Sequence, residues 1–527
     1  MSHPGDRPSS TRPSNWIPSC RPQHQIGRLN QDYRVGLACT DDPFPQWSKV
    51  ASCRPNPAMI HSLFIDRENR DHGRNQGLYH HLDHAPGPTA PTRVLAALRG
   101  PVRGSICQLH TEKIASPTVP DVMTTESQTT IEQIHEAQVL QALADRSVAS
   151  RSELSGMLGL GRSTIAEILA RLVSMGTVVV EGHQKRDGRG RPTELLRIDR
   201  DAVSAIGIDI AHGWTHVAAL NILGDPVATG GRTVEVATPW TDRIRIADNL
   251  LSGLSLSQSQ LKPLRGIAIG LFGPVSIARQ RLTTGPAGAI DPRARARHGG
   301  EPWFGHVETL AARFASPVMV DNTTRFAAYA EHLAHIHETR DPGPTLHLRC
   351  FQGVGGAVVS PSGVERGSSG LAGEVGHLTI ENDGPPCRCG RNGCLETFAS
   401  TPAILARCRA RGLDVADLDG LRAAVQRGDD TVHRVLRDSG KAIGRALVTA
   451  SVLLDPASII LSGDLIQLGD TALSAAQAAY KNGLGTRFSS APITPGVLGQ
   501  RAASLGAALT VLHDQLPELT LASPRTG

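Results

Sequence analysis

The stretch LAGEVGHLTIENDGPPCRCGRNGCLETFAS, residues 371–400, carries four candidate metal ligands: His377, Cys387, Cys389 and Cys394. One imidazole and three thiolates complete a tetrahedral shell for zinc and leave no position open for water, so the pattern predicts a structural Zn2+ site rather than a hydrolytic one. Glycines and prolines between the ligands allow the chain to fold back around one ion. The alternative is three free cysteines beside an unrelated histidine.

Two carboxylates, Glu374 and Glu396, lie among these ligands although the metal shell does not need them. The segments GEVGH and CRCGRNGCLE closely resemble the signature of the ROK family (repressors, open reading frames and sugar kinases). In that family the histidine and the three cysteines bind zinc, and the glutamates at these two positions hold sugar hydroxyls together with the same histidine, here His377. The resemblance therefore implies that zinc orients a sugar-binding site.

Length and composition set the broad class of the protein. The chain has 527 residues and a mass of 55.9 kDa, which is enough for two or three domains with sizeable cores. It contains no apolar run of about 18 residues, and its N-terminus lacks an apolar signal core, so we expect a cytoplasmic protein without a membrane span. The net charge of +5 is too small to indicate nucleic-acid binding by itself.

Residues 1–122 differ from the remainder of the chain. They are rich in Pro, Arg, His, Ser and Gly and show no sustained hydrophobic periodicity. The pattern predicts a disordered extension, or sequence translated upstream of a start at Met123. The resemblance to ROK proteins covers only residues from about 129 onward.

Residues 123–200 predict a winged helix-turn-helix domain. An apolar stripe over 131–143 indicates one helix, a capping box begins a second over 150–158, and a third covers 162–174. Two helices joined by a short glycine-containing turn are typical of a helix-turn-helix. Predicted strands at 178–181 and 195–198 flank a basic, glycine-rich hairpin tip.

The outward face of the third helix and the hairpin tip supply the predicted contacts with operator DNA. Small, hydrogen-bonding and basic side chains suit the major groove, and arginines of a wing suit phosphates or the minor groove. The predicted DNA-binding residues are Arg162, Ser163, Thr164, Glu167, Arg171, Arg189 and Arg191. The alternative is a three-helix packing module with a solvated basic loop.

The remaining residues resemble the two-lobed α/β domain of ROK proteins. That resemblance implies an actin-like ATPase (ribonuclease H-like) fold. Residues 201–325 would form a small lobe completed by residues 501–516, and residues 326–500 would form a large lobe with the zinc-binding loop. The chain as a whole is thus predicted to be an α/β protein: a winged helix-turn-helix followed by a two-lobed sugar-binding domain.

The nucleotide side of this domain departs from the kinases of the family. Their first turn reads Asp-Ile-Gly-Gly-Thr-Lys, whereas here Asp209 and Ile210 are followed by Ala-His-Gly and Trp214. Bulky side chains hinder the close backbone approach that a phosphate loop requires. The second phosphate element has also changed, because Phe351 and Gln352 replace the Gly-Thr pair.

The catalytic position has changed as well. Where the kinases carry Asn-Asp, this chain has Asn322 and Thr323. Threonine cannot accept a proton near neutral pH, so general-base catalysis has no obvious agent. Whether Asp321 reaches the same hydroxyl depends on how its strand ends. No catalytic residue is therefore predicted, while the sugar-side residues Asn322, Glu374, His377 and Glu396 are retained.

Together these features predict a sugar-responsive transcriptional repressor without kinase activity. It would bind operator DNA and a sugar or sugar-phosphate effector, and act as a homodimer or higher homo-oligomer. The principal alternative is an active ATP-dependent ROK sugar kinase with a DNA-binding appendage. A third possibility is a scaffold whose winged helix mediates protein contacts.

Overall fold

The computed structural model describes most of the chain after residue 129. The described ranges are 130–184, 192–272, 300–301, 303–336, 343–486, 488–521 and 523–524, with the backbone of 282–283. The predicted extension over residues 1–122 lies outside these ranges, as do the predicted DNA contacts Arg189 and Arg191.

The first described segment forms three helices and a small antiparallel sheet. Its elements are α1 Ile131–Arg146, β1 Ala149–Ser150, α2 Arg151–Leu158, α3 Arg162–Met175, β2 Val178–Gln184 and β3 Thr193–Ile198. The strands pair in the order β1-β3-β2. Ser150 and Glu153 form the capping box predicted at the start of α2, and Gly159 ends that helix in the left-handed region at φ 65°.

The core of this module lies between its helices. The four apolar residues predicted to face inward from α3 are all buried: Ile165, Ile168, Leu169 and Leu172. The predicted stripe of α1 is correct for Val139, Leu140 and Leu143 but wrong for Ile131, which is 72% exposed. Ile131 is the first residue of the helix and lies at the end that the other elements do not cover.

The next part of the chain is a lobe built on a six-stranded mixed sheet. Its strands are β4 Ala205–Ile210, β5 Trp214–Leu220, β6 Pro226–Thr233, β7 Gly266–Leu271, β8 Leu282–Thr283 and β9 Val318–Asn322, in the order β6-β5-β4-β7-β9-β8. Its helices are α4 Trp240–Gly253, α5 Gln258–Leu261, α6 Phe304–Phe314 and α7 Thr323–His335. The strands β4, β7 and β9 are parallel to their neighbours in this group, so their carboxyl ends meet at one edge.

The second lobe has a five-stranded sheet and most of the remaining helices. Its strands are β10 Thr345–Cys350, β11 Val354–Ser360, β12 Gly363–Glu365, β13 Ser458–Gly463 and β14 Ile493–Pro495, in the order β12-β11-β10-β13-β14. Its helices are α8 Glu396–Ala399, α9 Thr401–Arg409, α10 Leu418–Gln426, α11 Asp430–Leu454, α12 Asp464–Gln467 and α13 Asp470–Leu484. The metal-ligand loop lies between β12 and α8.

The last helix, α14 Ala502–Gln515, returns to the first lobe. A Cβ atom on Gly506 would lie 1.7 Å from the carbonyl oxygen of Phe326, and one on Gly207 would lie 1.9 Å from that of Ser504. Only glycine fits at such distances, so α14 contacts both α7 and β4 through their backbones. The last helix therefore packs closely on the first lobe. None of the helices in the described ranges is long and apolar enough to cross a membrane.

A buried ion cluster joins α1, α3 and the first lobe. Glu136 of α1 pairs with Arg171 of α3 at 2.6 Å and with Arg265, which directly precedes β7. Arg171 also pairs with Glu132. The sequence predicted that Arg171 faces DNA, but two carboxylates of α1 hold its guanidinium, so the structure assigns it a contact within the protein instead. We call Glu136, Arg171 and Arg265 the Glu136 cluster.

Candidate functional site

The four predicted metal ligands come together in one cluster. The ligand atoms of His377, Cys387, Cys389 and Cys394 all lie within 4.8 Å of one another. The Sγ atoms of Cys389 and Cys394 are 3.6 Å apart, and Cys387 Sγ is 3.7 Å from His377 Nδ1. Bonds of roughly 2.3 Å in a tetrahedron place two sulfurs roughly 3.8 Å apart. The cluster can therefore hold one metal ion.

The thiols of this cluster differ in acidity. A backbone hydrogen bond from Arg391 lowers the pKa of the Cys389 thiol to about 6. Burial raises the pKa of Cys394 to about 12 and also raises the pKa of Cys387. A metal ion must displace the protons of these two thiols, so its affinity should fall as the pH falls.

A cavity of about 770 Å³ opens beside the metal cluster and reaches residues of both lobes. The carboxyl end of β9, the β10–β11 turn and the metal-ligand loop all contribute to its wall. Among its lining residues are Asn322, Arg349, Glu374, His377, Arg388 and Arg391. Its volume is that of a typical small-molecule site.

Three of the four predicted sugar-binding residues line this cavity. Asn322 is the last residue of β9, and its side chain accepts a hydrogen bond of 2.7 Å from the Thr324 backbone N–H as it caps α7. Glu374 and His377 lie at the two ends of a single 3-10 turn. Burial raises the pKa of Glu374. The cavity thus presents an amide, a carboxyl group and an imidazole on one side.

Glu396, the fourth predicted residue, lies behind the cavity wall. Its carboxylate accepts hydrogen bonds of 2.8 and 2.9 Å from Nε and Nη2 of Arg388, and one of 3.0 Å from the Val354 backbone N–H. Arg388 forms the cavity wall at this point. Sequence reasoning missed Arg388, and its position between two cysteine ligands was the available signal that it belongs to the site.

Thr323 stands where the kinases carry the catalytic aspartate, and its hydroxyl proton is already donated within the protein. It donates a hydrogen bond of 2.5 Å to Asp209 Oδ1 and accepts one of 3.0 Å from Arg349 Nη1. The indole of Trp214 donates to the other oxygen of Asp209 at 3.0 Å. Burial raises the pKa of Asp209. The polar groups at this point bind one another rather than a reacting hydroxyl.

Aromatic rings line the cavity at the two turns where the kinases of the family hold phosphates. The rings of Trp214 and Phe351 meet edge to face, with centroids 4.6 Å apart. The guanidinium of Arg349 lies 5.3 Å from the first ring centroid and 4.7 Å from the second. A bulky, buried side chain therefore lies at each of the two turns.

Arg243 holds the turn between β4 and β5, the first of these two turns, in place. Its fully buried guanidinium donates hydrogen bonds to the backbone carbonyls of Ala211, His212, Glu235, Val236 and Thr238. A phosphate loop needs free backbone N–H groups that converge on the anion. Here Arg243 holds the turn through its carbonyl groups, and the backbone N–H of Ala211 donates to the carbonyl of Trp214 within the turn, so that N–H is not free for an anion.

Asp321 is sealed from the cavity. Its buried carboxylate pairs with Arg325 at 2.9 Å and with Arg366 at 2.8 Å. Burial disfavours the charged form, but Arg366 and Arg325 outweigh that effect and lower the pKa of Asp321. A carboxylate with two guanidinium partners is a weak base, so Asp321 does not replace the missing catalytic aspartate.

The two-lobed fold and the cluster of candidate metal ligands are those of a ROK-type domain, and comparison with known proteins supports that class. The profile of the ROK family matches residues 207–514, so the chain belongs to the ROK family. It is 24% identical over 395 residues to the xylose repressor of Bacillus subtilis (strain 168), an alignment that covers 75% of this chain and 99% of that repressor.

Two further relatives extend the comparison. Over 357 residues the chain is 23% identical to the DNA-binding transcriptional dual regulator NagC of Escherichia coli (strain K12), covering 66% of this chain and 84% of NagC. The crystal structure of a ROK family transcriptional regulator, a homologue of the E. coli MLC protein, matches with a TM-score of 0.56 at 22% identity and covers 74% of this chain and 99% of that one. Together with the family match, this confirms the α/β ROK-type fold predicted for the two lobes.

Proposed function

We propose that this protein is a sugar-responsive transcriptional repressor and not an enzyme. The observation that carries the proposal is the similarity along 99% of the Bacillus subtilis xylose repressor, which extends beyond the sugar-binding domain into the helical module before it. The similarity to NagC, which is named as a DNA-binding regulator, supports the same class. A kinase would not need the helices and sheet over residues 131–198.

The absence of kinase activity is supported by the chemistry of the cavity. Thr323 cannot act as a general base, and Asp321 is held by two arginines. The contact between Trp214 and Phe351 places bulky rings at the two turns that bind phosphates in the kinases, where a phosphate loop needs close approach of the backbone.

For DNA recognition we propose the exposed face at the start of α3. Arg162, Ser163 and Glu167 are exposed and Thr164 is half-buried, and all four lie on the half of the helix that is free of the Glu136 cluster. Side chains at the start of a recognition helix reach base edges in the major groove. We propose in addition that Arg189 and Arg191 contact the DNA backbone.

For effector recognition we propose Asn322, Glu374, His377 and Glu396, supported by Zn2+ bound to His377 and the three cysteines. The zinc ion would fix the loop that carries Glu374 and the start of the helix that carries Glu396. The effector would be a sugar or a sugar derivative. We propose further that the protein works as a homodimer in the cytoplasm, where operator DNA is located.

The test is fluorescence anisotropy of the full chain on DNA from upstream of its own gene, titrated with sugars. We expect salt-sensitive binding that one sugar releases. Arg162→Ala should weaken binding, whereas Arg245→Ala, an exposed arginine of the first lobe, should not. Binding that no sugar alters would remove the sugar-response part of the proposal. Sugar-dependent release of ADP from ATP would overturn the non-enzymatic part.

A further inference from the structure

Three carboxylates near the cavity already have strong partners within the protein. Glu396 is held by Nε and Nη2 of Arg388, Asp209 accepts from Trp214 and Thr323, and Asp321 is paired with two arginines. A sugar hydroxyl binds a carboxylate by donating its proton, and at these three groups it competes with the internal donors. Glu374 is the one carboxylic acid among the described residues that line the cavity.

The cavity wall is instead rich in cationic donors. Among the described residues that line it, four are arginines, Arg325, Arg349, Arg388 and Arg391, and one is a carboxylic acid, Glu374. Arg388 and Arg391 lie on the metal-ligand loop, and the side chain of Arg388 is 54% exposed. Arg391 donates to the backbone carbonyl of His377 at 2.9 Å. The two guanidiniums on this loop are therefore accessible from the cavity.

The pair of Arg388 and Glu396 has a further consequence for ligand choice. A neutral sugar that reaches Glu396 must break a bidentate ion pair and leaves a guanidinium without its partner, which costs binding free energy. A ligand that carries its own anionic group can take Arg388 as its partner. Glu396 is then free to accept a hydrogen bond from a hydroxyl group of the same ligand.

We propose that the ligand of this cavity is an anionic sugar derivative, a phosphate ester or a sugar acid, and that Arg388 selects it by exchanging Glu396 for the ligand's anionic group. The proposal rests on the sugar-binding function proposed above and narrows its ligand class. The guanidinium fork of arginine matches both phosphate and carboxylate in bidentate geometry. Arg391 provides a second positive charge on the same loop.

The experiment is isothermal titration calorimetry of the full chain with matched ligands. D-xylose, D-glucose and N-acetylglucosamine are each compared with a phosphate ester and with the corresponding aldonic acid, and inorganic phosphate serves as the anion alone. A hydrogen bond to a charged group changes affinity by roughly tenfold to a hundredfold. We expect at least one anionic derivative to bind more tightly than its parent sugar by that factor. Whether the phosphate ester or the aldonic acid binds more tightly then identifies the anionic group.

Variants then test the assigned residue. Arg388→Gln should remove the preference for the anionic derivative, and Arg388→Lys should restore part of it, because lysine keeps the charge but lacks the fork. Arg434→Gln is the matched control, since Arg434 is an exposed arginine on α11 away from the cavity. Zinc content and the thermal midpoint are measured for each variant, because Arg388 lies between two cysteine ligands.

The outcomes separate this inference from the proposed function. If a neutral sugar binds as tightly as its anionic derivatives, the inference is wrong while sugar binding stands. An unchanged preference in Arg388→Gln with full zinc content overturns the role of Arg388. Should no sugar or derivative bind at millimolar concentration, the inference fails together with the sugar-binding function. The comparison of ligands on the unmodified protein decides the question even if Arg388→Gln does not fold.

Discussion

Replacing Glu136 by Gln should destabilise the link between the helical module and the first lobe. The substitution keeps the size of the side chain but removes the one carboxylate shared by Arg171 and Arg265. The Glu136 side chain is 8% exposed and that of Arg265 is 10% exposed, so the charge of Arg265 would remain buried without a partner. Glu132→Gln is the matched control, because Glu132 also pairs with Arg171 but is 64% exposed.

The expected magnitudes differ clearly. Removing one partner of a buried ion pair costs about 3–5 kcal/mol, and since glutamine can still accept a hydrogen bond we expect about 3 kcal/mol for Glu136→Gln. An exposed pair is worth less than about 1 kcal/mol, which sets the expectation for Glu132→Gln. With a urea m-value of about 2 kcal/mol per molar, the first change lowers the unfolding midpoint by about 1.5 M.

Two measurements check this prediction. Urea unfolding gives the midpoints, and hydrogen–deuterium exchange of peptides from α1 and from residues 260–271 locates the loss of protection. We expect faster exchange in both regions for Glu136→Gln and little change for Glu132→Gln. If the two variants unfold within about 1 kcal/mol of each other, the cluster does not stabilise the connection and the reasoning is refuted.

Three further outcomes are expected. Cys389→Ser should lower zinc content and impair the sugar response, whereas Cys408→Ser, a buried cysteine outside the loop, should keep its zinc; full metal content in the first variant would contradict the predicted site. Thr323→Asp should not produce sugar-dependent ADP release in a coupled assay, because the aromatic contact between the phosphate turns remains; measurable turnover would show that the turns still admit ATP. Burial lowers the pKa of His347 from 6.5 to about 3. Because the pKa of His347 is lower in the folded than in the unfolded state, the unfolded state binds the proton first as the pH falls below 6.5. The free energy of unfolding should therefore decrease between pH 6.5 and about 3, by roughly 1.4 kcal/mol per pH unit. Other histidines with lowered pKa values, such as His216, also titrate in this range, so the unfolding free energy of His347→Asn should still fall with pH, but by about 1.4 kcal/mol per pH unit less than that of the unmodified protein. Urea unfolding at stepped pH measures both slopes, and equal slopes would count against this prediction.

Much of the fold could be predicted because its signals are local. The capping box of Ser150 and Glu153, the buried face of α3 and the glycine of α14 each depend on neighbours in sequence or on a regular period. The metal cluster could be predicted for the same reason, since its last three ligands lie within one short loop. Patterns formed by residues that are close in sequence can be recognised in a single amino-acid sequence.

The contacts that decide the chemistry of the site are not local. Arg349 belongs to a strand of the second lobe and reaches Thr323 at the edge of the first, and the sequence gives no hint of that pairing. Arg388 reaches Glu396 only because the metal-ligand loop folds back over the β10–β11 turn, where Glu396 also accepts from the Val354 backbone N–H. The pairing of Asp321 with Arg325 spans only four residues, but it joins the end of β9 to the first turn of α7, so no regular helical spacing predicts it.

The position of α14 has a consequence for folding during translation. The ribosome makes β4 before α14, yet Gly207 and Ser504 lie in backbone contact. The side chain of Gln133 in α1 donates to the carbonyl of Gln515, and the backbone N–H of Thr520 donates to the side chain of Gln141. Until α14 has been made, the apolar face of the first-lobe sheet that it covers stays exposed and can bind chaperones or other chains. The helical module and the first lobe therefore reach their final packing only after α14 and the residues through Thr520 have been synthesised.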